Sequence, residues 1–486
     1  MPDAAAEPDA TQTLRVGLLA PVHKLDPHGG RDFVSATVLE QIFETPFAPP
    51  ETIDQAARPV LFAEALRREP GAADGRTLSA PVREGVRFSD GTALTAELLA
   101  EILSGAKRLA EQAEIEARDD RVVFRLARPA ARFDLTLTHQ YCQVGLRRGG
   151  ETLGTGAYRL AADSSPERIR LERNPHYRSP TAIGEVLFVA YPPDDDGRPT
   201  ALLEAIDSGE VQFTNVLSRE DLAQLRGVRK WLEPGSGTAI LYFNTERPGL
   251  SDARVRRALA LALDRSEVAR ISYHNPMAFT ATGLLPPMMG TWRDGVAQDP
   301  KRALALLAEA GDARPSRLSL LLIFGPRPYL PHPQAVADHI ARRLATLDVE
   351  VSVHQAESMN RYFEEAARGH YDLALSGWVA DTTDPADFLE AILSPESIPS
   401  PSRRIVFDGN LSRWSNADAA EALGRFRELP SEANKERILE LMREEMPLLP
   451  LMYGPTIYAY SPRLQKFQPS PLGIPRFAEM TLTEGP

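Results

Sequence analysis

Cysteine is nearly absent from this 486-residue sequence, since Cys142 is the only one. A single cysteine cannot close an intramolecular disulfide, so the fold does not depend on an oxidising compartment. We expect Cys142 to pack in the core as a small apolar side chain. The histidines are scattered, and neither an HExxH pattern nor a close set of cysteines and histidines is present. The sequence therefore predicts no metal site and no cofactor.

Long apolar runs are also missing. The longest, such as residues 258–263, fall far short of the roughly 20 residues that a membrane-spanning helix needs. Residues 1–12 have neither the charged and apolar regions of a signal peptide nor a lipid-acceptor cysteine, and we expect them to form a disordered tail. We therefore expect no membrane insertion. An export signal was either removed or never present, which leaves a cytoplasmic location open.

Lysine is scarce, because only six of the 55 basic residues are lysines, and the net charge is -12. A negative chain is a poor partner for nucleic acid or an anionic membrane, so we expect neither. The hydrophobic fraction of 43% and the charged fraction of 25% are ordinary for a soluble globular protein. The length predicts two or three domains.

Sequence patterns of common catalytic sites are missing as well. No GxSxG is present, and the glycines at residues 154–156 are not followed by the GK[ST] of a phosphate-binding loop. A nucleophile beside a general base is not evident, so an enzyme is the least favoured of the functions considered.

An alternating series of strands and helices is present in the second half of the chain. Apolar patterns predict strands over residues 318–324, 349–353 and 372–375, with helices over 334–347 and 357–368 between them. This β-α-β-α-β order indicates a parallel sheet with right-handed crossovers.

The last of these strands begins the stretch YDLALSGWVADTTDPADFL, residues 371–389. Ligands of open α/β sheets bind just past the carboxyl ends of the strands, where Trp378 and Asp381 are predicted to lie. An indole near a carboxylate suits an apolar pocket with one charged anchor. The alternative is that Asp381 only shapes a turn, since aspartate side chains often bind their own backbone.

Short apolar runs separated by turns occupy residues 59–160 and indicate a small α+β subdomain. Within it we predict a strand containing Val86 and Phe88, then a turn, then a helix capped by Thr95. Near the carboxyl terminus we predict two strands, over residues 448–453 and 456–460.

Several of these segments are similar to one known family. The matching texts occur in the family's order across nearly the whole chain: LDP at 25–27, VREGVRFSDGTALTA at 82–96, GTGAYRL at 154–160, RNPHY at 173–177, FNTERPGLSDARVRRALALALDR at 243–265 and SGWVADTTDPADFL at 376–389. The chain thus resembles the family 5 solute-binding proteins of ABC transporters, the oligopeptide-, dipeptide- and nickel-binding group.

The resemblance implies an α/β fold of the bilobed periplasmic-binding-protein-like kind (type II, cluster C), with an extra α+β subdomain in lobe I. Lobe I would comprise residues 13–238 and 447–486, with the subdomain inserted at about 45–155. Lobe II would comprise residues 239–446. A ligand would be enclosed between the lobes by hinge closure.

The function implied by the resemblance is that of a non-catalytic, monomeric substrate-binding protein. It would capture a peptide or peptide-like solute and deliver it to an ABC transporter permease, in the periplasm or another extracytoplasmic space. The alternative is a cytoplasmic ligand sensor or biosynthetic accessory protein that uses the same fold.

In peptide-binding relatives, the aspartate that matches Asp381 pairs with the ligand's α-ammonium group, and Trp378 matches a neighbouring tryptophan of the cleft. Tyr242 and Asn244 end a strand near the expected lobe crossover, where they either contact ligand or serve only as packing and a cap. The segment after LDP offers two further candidates, Arg31 and Phe33. The predicted ligand-binding set is Asp381, Trp378, Gly377, Val379, Tyr242, Asn244, Arg31 and Phe33.

The chain departs from the pattern of several peptide binders at one position of this stretch. Where they have an arginine three residues before the tryptophan, this sequence has Leu375. A cation able to meet a ligand carboxylate is therefore missing there, and the specificity could differ from that of a general peptide carrier.

Overall fold

The computed structural model describes residues 12–28, 33–50, 55–69, 75–273, 279–402 and 409–483. They fall into two compact units. Unit 1 comprises the described residues up to Leu232 and those from Thr456 onward, and unit 2 those from Glu233 to Pro455. None of the described helices combines the length and the apolar character that crossing a membrane requires.

The described residues form short and long strands and helices, labelled β and α in chain order. The strands are β1 (Thr13–Leu18), β2 (Phe47–Ala48), β3 (Arg58–Pro59), β4 (Arg67–Arg68), β5 (Thr77–Pro81), β6 (Ala113–Arg118), β7 (Arg121–Leu126), β8 (Gly145–Arg148), β9 (Glu151–Gly154), β10 (Tyr158–Leu160), β11 (Arg168–Arg173), β12 (Glu185–Ala190), β13 (Phe213–Thr214), β14 (Arg229–Phe243), β15 (Arg317–Leu322), β16 (Glu350–Gln355), β17 (Leu373–Val379), β18 (Leu448–Tyr460), β19 (Leu464–Gln465) and β20 (Thr481–Leu482). The helices are α1 (Phe33–Ile42), α2 (Ala96–Gly105), α3 (Lys107–Ala110), α4 (Phe133–Thr136), α5 (Thr200–Asp207), α6 (Arg219–Gln224), α7 (Ala253–Leu261), α8 (Arg265–Tyr273), α9 (Pro300–Ala310), α10 (Pro333–Ala345), α11 (Met359–Arg368), α12 (Pro385–Leu393), α13 (Ala417–Glu428) and α14 (Glu432–Glu445).

The main sheet of unit 1 is built around β1. This strand runs parallel to β12 on one side and to β13 on the other, and β11 and β10 extend the sheet antiparallel beyond β12. Leu14, Val16, Phe188 and Phe213 lie in one core cluster and are at most 1% exposed. The buried apolar positions of β1 therefore pack on the same core as its neighbours, which fixes the register of these strands.

A second core lies within unit 1, between Phe47 and Val144 in the sequence. Its sheet has the order β4-β5-β7-β6, and α2 packs on it through Leu99 and Leu103. Helix α2 begins as predicted, because the Thr95 hydroxyl accepts a hydrogen bond of 3.3 Å from the backbone N–H of Leu98.

The predicted strand at Val86 and Phe88 is wrong. The chain turns back on itself there, since Phe88 N donates to Thr92 O and Leu94 N donates to Val86 O, both at 2.9 Å. Turns on both sides leave too few residues for a strand, although both side chains are buried in the second core. The apolar pattern reflects the burial of Val86 and Phe88 in the core, and for that reason it wrongly indicated a strand.

In unit 2, the predicted β-α-β-α-β order is confirmed. Strand β15 pairs in parallel with β16 on one side and with β17 on the other, and α10 and α11 make the crossovers. Ser358 caps the start of α11, and Gly369 ends it in the left-handed conformation with a φ of 68°. Strand β14 completes this part of the sheet by pairing antiparallel with β17.

The two predicted strands near the carboxyl terminus form one strand, β18, so that prediction is also wrong. Gly454 and Pro455 interrupt the apolar sequence and led to the division. A proline keeps a φ that extended backbone accepts, so a strand can continue through it where its missing N–H is not needed.

Candidate functional site

The candidate site of unit 2 is built on the carboxyl end of β17. Exposure rises along this strand, from 0% at Leu375 to 43% at Val379. The adjoining loop is tied to β14, because Ala380 N donates to Ser236 O at 2.8 Å. A strand that emerges from the core at its carboxyl end presents its last residues where a ligand can reach them.

Three aspartates follow this strand end, in the adjoining loop or in α12, and the structure gives two of them local roles. Asp384 caps α12 by accepting a 2.9 Å hydrogen bond from Ala386 N, and Asp387 accepts one of 3.2 Å from the Thr382 hydroxyl. Asp372 pairs with Arg247 at the opposite end of the strand. Asp381 is half-buried in the loop directly after β17.

The two faces of β17 near its end meet different neighbours. A Cβ added to Gly377 would lie 2.6 Å from the Tyr329 ring, so this ring lies directly on the glycine. Trp378 points to the other face, where its ring would lie 2.9 Å from a Cβ at Gly409. Gly377 therefore permits close approach of an aromatic ring, and half-buried Trp378 forms one wall beside the strand end.

Tyr329 belongs to the loop after β15, and this loop also carries Arg327. Because β15 and β17 are parallel neighbours, the loops that follow them emerge at the same edge of the sheet. Arg327 N donates to Leu330 O at 3.0 Å and Leu330 N donates back at 2.9 Å, which forms a tight turn. The turn fixes the backbone position of Arg327.

The guanidinium of Arg327 contacts the sulfur of Met359 and, within the part of the chain that the structure describes, has no carboxylate partner within 4.0 Å. Burial raises the pKa of Tyr329, and Arg327 is the strongest opposing influence, since its positive charge favours the phenolate. Sequence reasoning missed Arg327. An arginine between prolines just past an apolar strand was the available signal.

Tyr242 and Asn244 do not join this group. Strand β14 runs antiparallel to β17, so its carboxyl end meets the amino end of β17, and Tyr242 pairs with Ala374 rather than with Val379. Both side chains are fully buried. The Asn244 carboxamide donates to Tyr371 O at 2.8 Å and to Gly369 O at 3.1 Å, which fits the packing-and-cap alternative.

Two predicted site residues remain, Arg31 and Phe33. Arg31 lies outside the described residues. Phe33 is the first residue of α1, is 38% exposed and packs beside Gly473. Cys142 is fully buried, and burial raises the pKa of its thiol well above the usual range. Among the described residues, no group of three or more His, Cys, Asp or Glu side chains could hold a metal ion.

Comparison with known proteins places these features in context. Residues 69–400 match the family described as bacterial extracellular solute-binding proteins, family 5, middle region. The chain is 27% identical to di/tripeptide-binding protein 2 of Pseudomonas aeruginosa, over 74% of this chain and 68% of that protein. It is 26% identical to the dipeptide-binding protein of Escherichia coli K12, over 58% of this chain and 55% of that protein.

Solved structures agree on the fold. The structure of HbpA2 from Haemophilus parasuis matches with a TM-score of 0.83 at 19% identity, covering 97% of this chain and all of that one. A dipeptide-binding protein from Pseudoalteromonas sp. SM9913, in complex with Met-Leu, matches with a TM-score of 0.75 at 20% identity, with 97% and 100% covered. The predicted fold class is thereby confirmed.

Proposed function

Because the chain belongs to the bacterial extracellular solute-binding proteins of family 5, we propose that it captures a peptide or peptide-like solute and delivers it to an ABC importer. Two relatives at 26–27% identity carry names that specify dipeptide or tripeptide binding. The proposal includes an extracytoplasmic location, a monomeric protein and no catalytic step.

The observation that carries the proposal is that an acidic and a basic residue follow two neighbouring parallel strands of unit 2. Asp381 follows β17, and Arg327 follows the neighbouring parallel strand β15. A peptide has an ammonium group at one end and a carboxylate at the other. Burying either charge is costly unless an opposite charge meets it, so a peptide site needs both kinds of partner.

In this proposal Asp381 receives the ligand's α-ammonium group and Arg327 its terminal carboxylate. A guanidinium whose partner is a thioether can give its N–H groups to a bidentate carboxylate contact without breaking an existing ion pair. Arg327 would thus supply the cation that Leu375 does not. Trp378 and Val379 would contribute apolar surface that accepts varied side chains.

Isothermal titration calorimetry with trialanine, its N-acetyl form and its C-terminal amide tests this function. We expect the free peptide to bind, and each blocked peptide to bind more weakly because one charged contact is lost. A panel of free di- to pentapeptides that gives no binding at all would overturn peptide capture. Binding of the panel with no effect of either blocking group would leave peptide capture standing but refute the assignment of both residues.

A further inference from the structure

Unit 1 contains a crevice of about 390 Å³ that the proposed function does not use. Its lining includes Arg58, Arg83, Tyr177, Arg178, Lys466 and Glu479. Four of these six are cations and one is an acid, within a chain whose net charge is -12. A positive crevice on a negative protein concentrates field lines, so it attracts anions more strongly than exposed, scattered charges do.

Two of the cations are held in place by the fold. Arg178 makes a bidentate pair of 2.6 and 2.7 Å with Glu44, whose side chain is 6% exposed, and its guanidinium lies 5.1 Å from the centre of the Tyr177 ring. Arg83 donates from Nε to Val60 O at 2.8 Å and from Nη2 to Pro59 O at 3.3 Å. These contacts build one rigid wall of the crevice.

The other two cations have no such partner. Within the described residues, neither Arg58 nor Lys466 forms an ion pair or a side-chain hydrogen bond, and both are exposed. Lys466 has a φ of 56°, a left-handed conformation that is uncommon for a residue with a side chain. The same conformation occurs at Asp119, Asp348, Arg413 and Met446, so it marks a turn and is not by itself a sign of binding.

We propose that this crevice binds a small molecule that carries two or more oxyanion groups, either carboxylates or phosphates. Arg58 and Lys466 would meet the oxyanions directly. Arg83, whose guanidinium bonds to backbone carbonyls, would add its positive charge, whereas the charge of Arg178 is balanced by Glu44. A guanidinium binds such a group through paired N–H donors, whereas an ammonium acts as a point charge, so the two together accept either chemistry. The volume falls within the range of small-molecule sites.

Calorimetric titration of the full chain with citrate and with pyrophosphate, at constant ionic strength, tests this site. The test variant is Arg58→Gln combined with Lys466→Asn, because asparagine tolerates the left-handed conformation better than most residues. The matched control is Arg67→Gln combined with Lys107→Gln, which removes the same charge from exposed positions of unit 1 that do not line the crevice. Circular dichroism verifies that both variants are folded.

We expect saturable binding of at least one of the two anions, with a stoichiometry of one per chain. The Arg58/Lys466 variant should weaken it about tenfold, since each partly exposed charge contributes only modestly, and the control should not. Tighter binding of citrate would identify carboxylates as the ligand groups, and tighter binding of pyrophosphate would identify phosphates. Absence of saturable binding by the unmodified protein, or equal weakening by both variants, would overturn the proposal.

The Asp381→Asn variant tests whether anion binding in the crevice is independent of the proposed peptide site. Asp381 belongs to unit 2, so this variant should bind citrate or pyrophosphate as the unmodified protein does. Loss of anion binding in that variant would contradict an independent crevice site. Failure of peptide capture would not affect the result.

Discussion

Arg256 is a buried cation of unit 2 that is bonded to several backbone carbonyls. Its guanidinium donates to Leu250 O at 2.6 Å, to Ser251 O at 3.0 Å and to Glu445 O at 2.8 Å, and the residue is 1% exposed. Burial lowers the pKa of Arg256, with Glu445 opposing that shift. The charge is retained because backbone carbonyls, which carry partial negative charge, surround it on several sides.

Replacement of Arg256 by methionine should therefore destabilise the protein. Several buried carbonyls would lose their donor at once, and we expect a loss of about 3 kcal/mol in the free energy of unfolding. Urea denaturation followed by circular dichroism measures it. Arg254→Met is the control, because Arg254 is half exposed and its pair with Asp252 should contribute less than about 1 kcal/mol. Equal losses in the two variants would contradict the role given to Arg256.

Asp381 is the residue whose proposed role can be isolated most sharply. The Asp381→Asn change keeps the size of the side chain and removes its charge, so it should weaken binding of free-amine peptides by roughly 2–5 kcal/mol. N-acetylated peptides should bind the variant and the unmodified protein equally, since they have no ammonium to lose. Calorimetry on both peptide forms tests this, and a matching loss for the acetylated form would contradict the ammonium contact.

Among the elements, β17 depends on close approach at Gly377. A Cβ there would lie 2.2 Å from Thr238 O and 2.6 Å from the Tyr329 ring. The first of these atoms belongs to the backbone of β14, which cannot move without disturbing the sheet. Tyr329 can approach the strand this closely only because position 377 has no side chain.

Gly377→Ala should accordingly lower the free energy of unfolding by about 1–3 kcal/mol, the usual cost of overpacking a core. The contrasting control is Gly424→Ala. Gly424 lies inside α13 with nothing within 4 Å of an added Cβ, so alanine there should stabilise by about 0.5–1 kcal/mol. Thermal and urea unfolding of both variants checks the opposite signs, and stabilisation by Gly377→Ala would refute the close contact.

The packing of α10 on α8 gives a pH-dependent contribution to stability. His339 on α10 is 9% exposed, and its Nε2 lies 3.6 Å from a carboxylate oxygen of Glu267 on α8. Burial lowers the pKa of His339, with Glu267 opposing and the nearby Arg270, Arg342 and Arg343 reinforcing the shift. The unfolded chain therefore binds this proton at a higher pH than the folded chain does.

By linkage, this contribution is fully present above the pKa of an unfolded histidine, about 6.5, and is lost as the pH falls below it. His339→Gln should remove part of the decline in unfolding free energy between about pH 7 and about pH 5. Urea titrations of the two proteins across this interval provide the comparison. Identical slopes would show that His339 does not carry the effect.

The elements also show what sequence could predict. The order of β15, α10, β16, α11 and β17 followed from apolar periodicity. Apolar residues recur on one face of each helix, and they alternate or cluster along each short strand. The direction of β14 beside β17 could not be inferred, since pairing between distant segments leaves no local signal. For that reason the sequence grouped Tyr242 and Asn244 with Asp381, although they meet opposite ends of β17.

Arg327 was missed for the same physical reason. Its relation to Asp381 depends on β15 being the immediate neighbour of β17, and sequence alone did not specify that order. Asp381 and Trp378 were found because they follow a strand directly, which a local pattern can reveal. Their roles in binding, like the predicted lobe boundaries, remain predictions.

At the scale of the whole molecule, the chain contains two compact units with cores of their own and matches a family of solute-binding proteins over residues 69–400. The candidate peptide site draws its charged groups from unit 2, and the basic crevice draws its charged groups from unit 1. Two kinds of ligand are thus proposed for one chain. Peptide capture is the central claim.

Native mass spectrometry of the purified protein, mixed with free di- to pentapeptides of distinct masses, tests that claim most directly. The account predicts complexes with one peptide per chain, which weaken when Asp381 is replaced by asparagine. Spectra that contain only the free protein at peptide concentrations well above those that saturate other peptide receptors would contradict it.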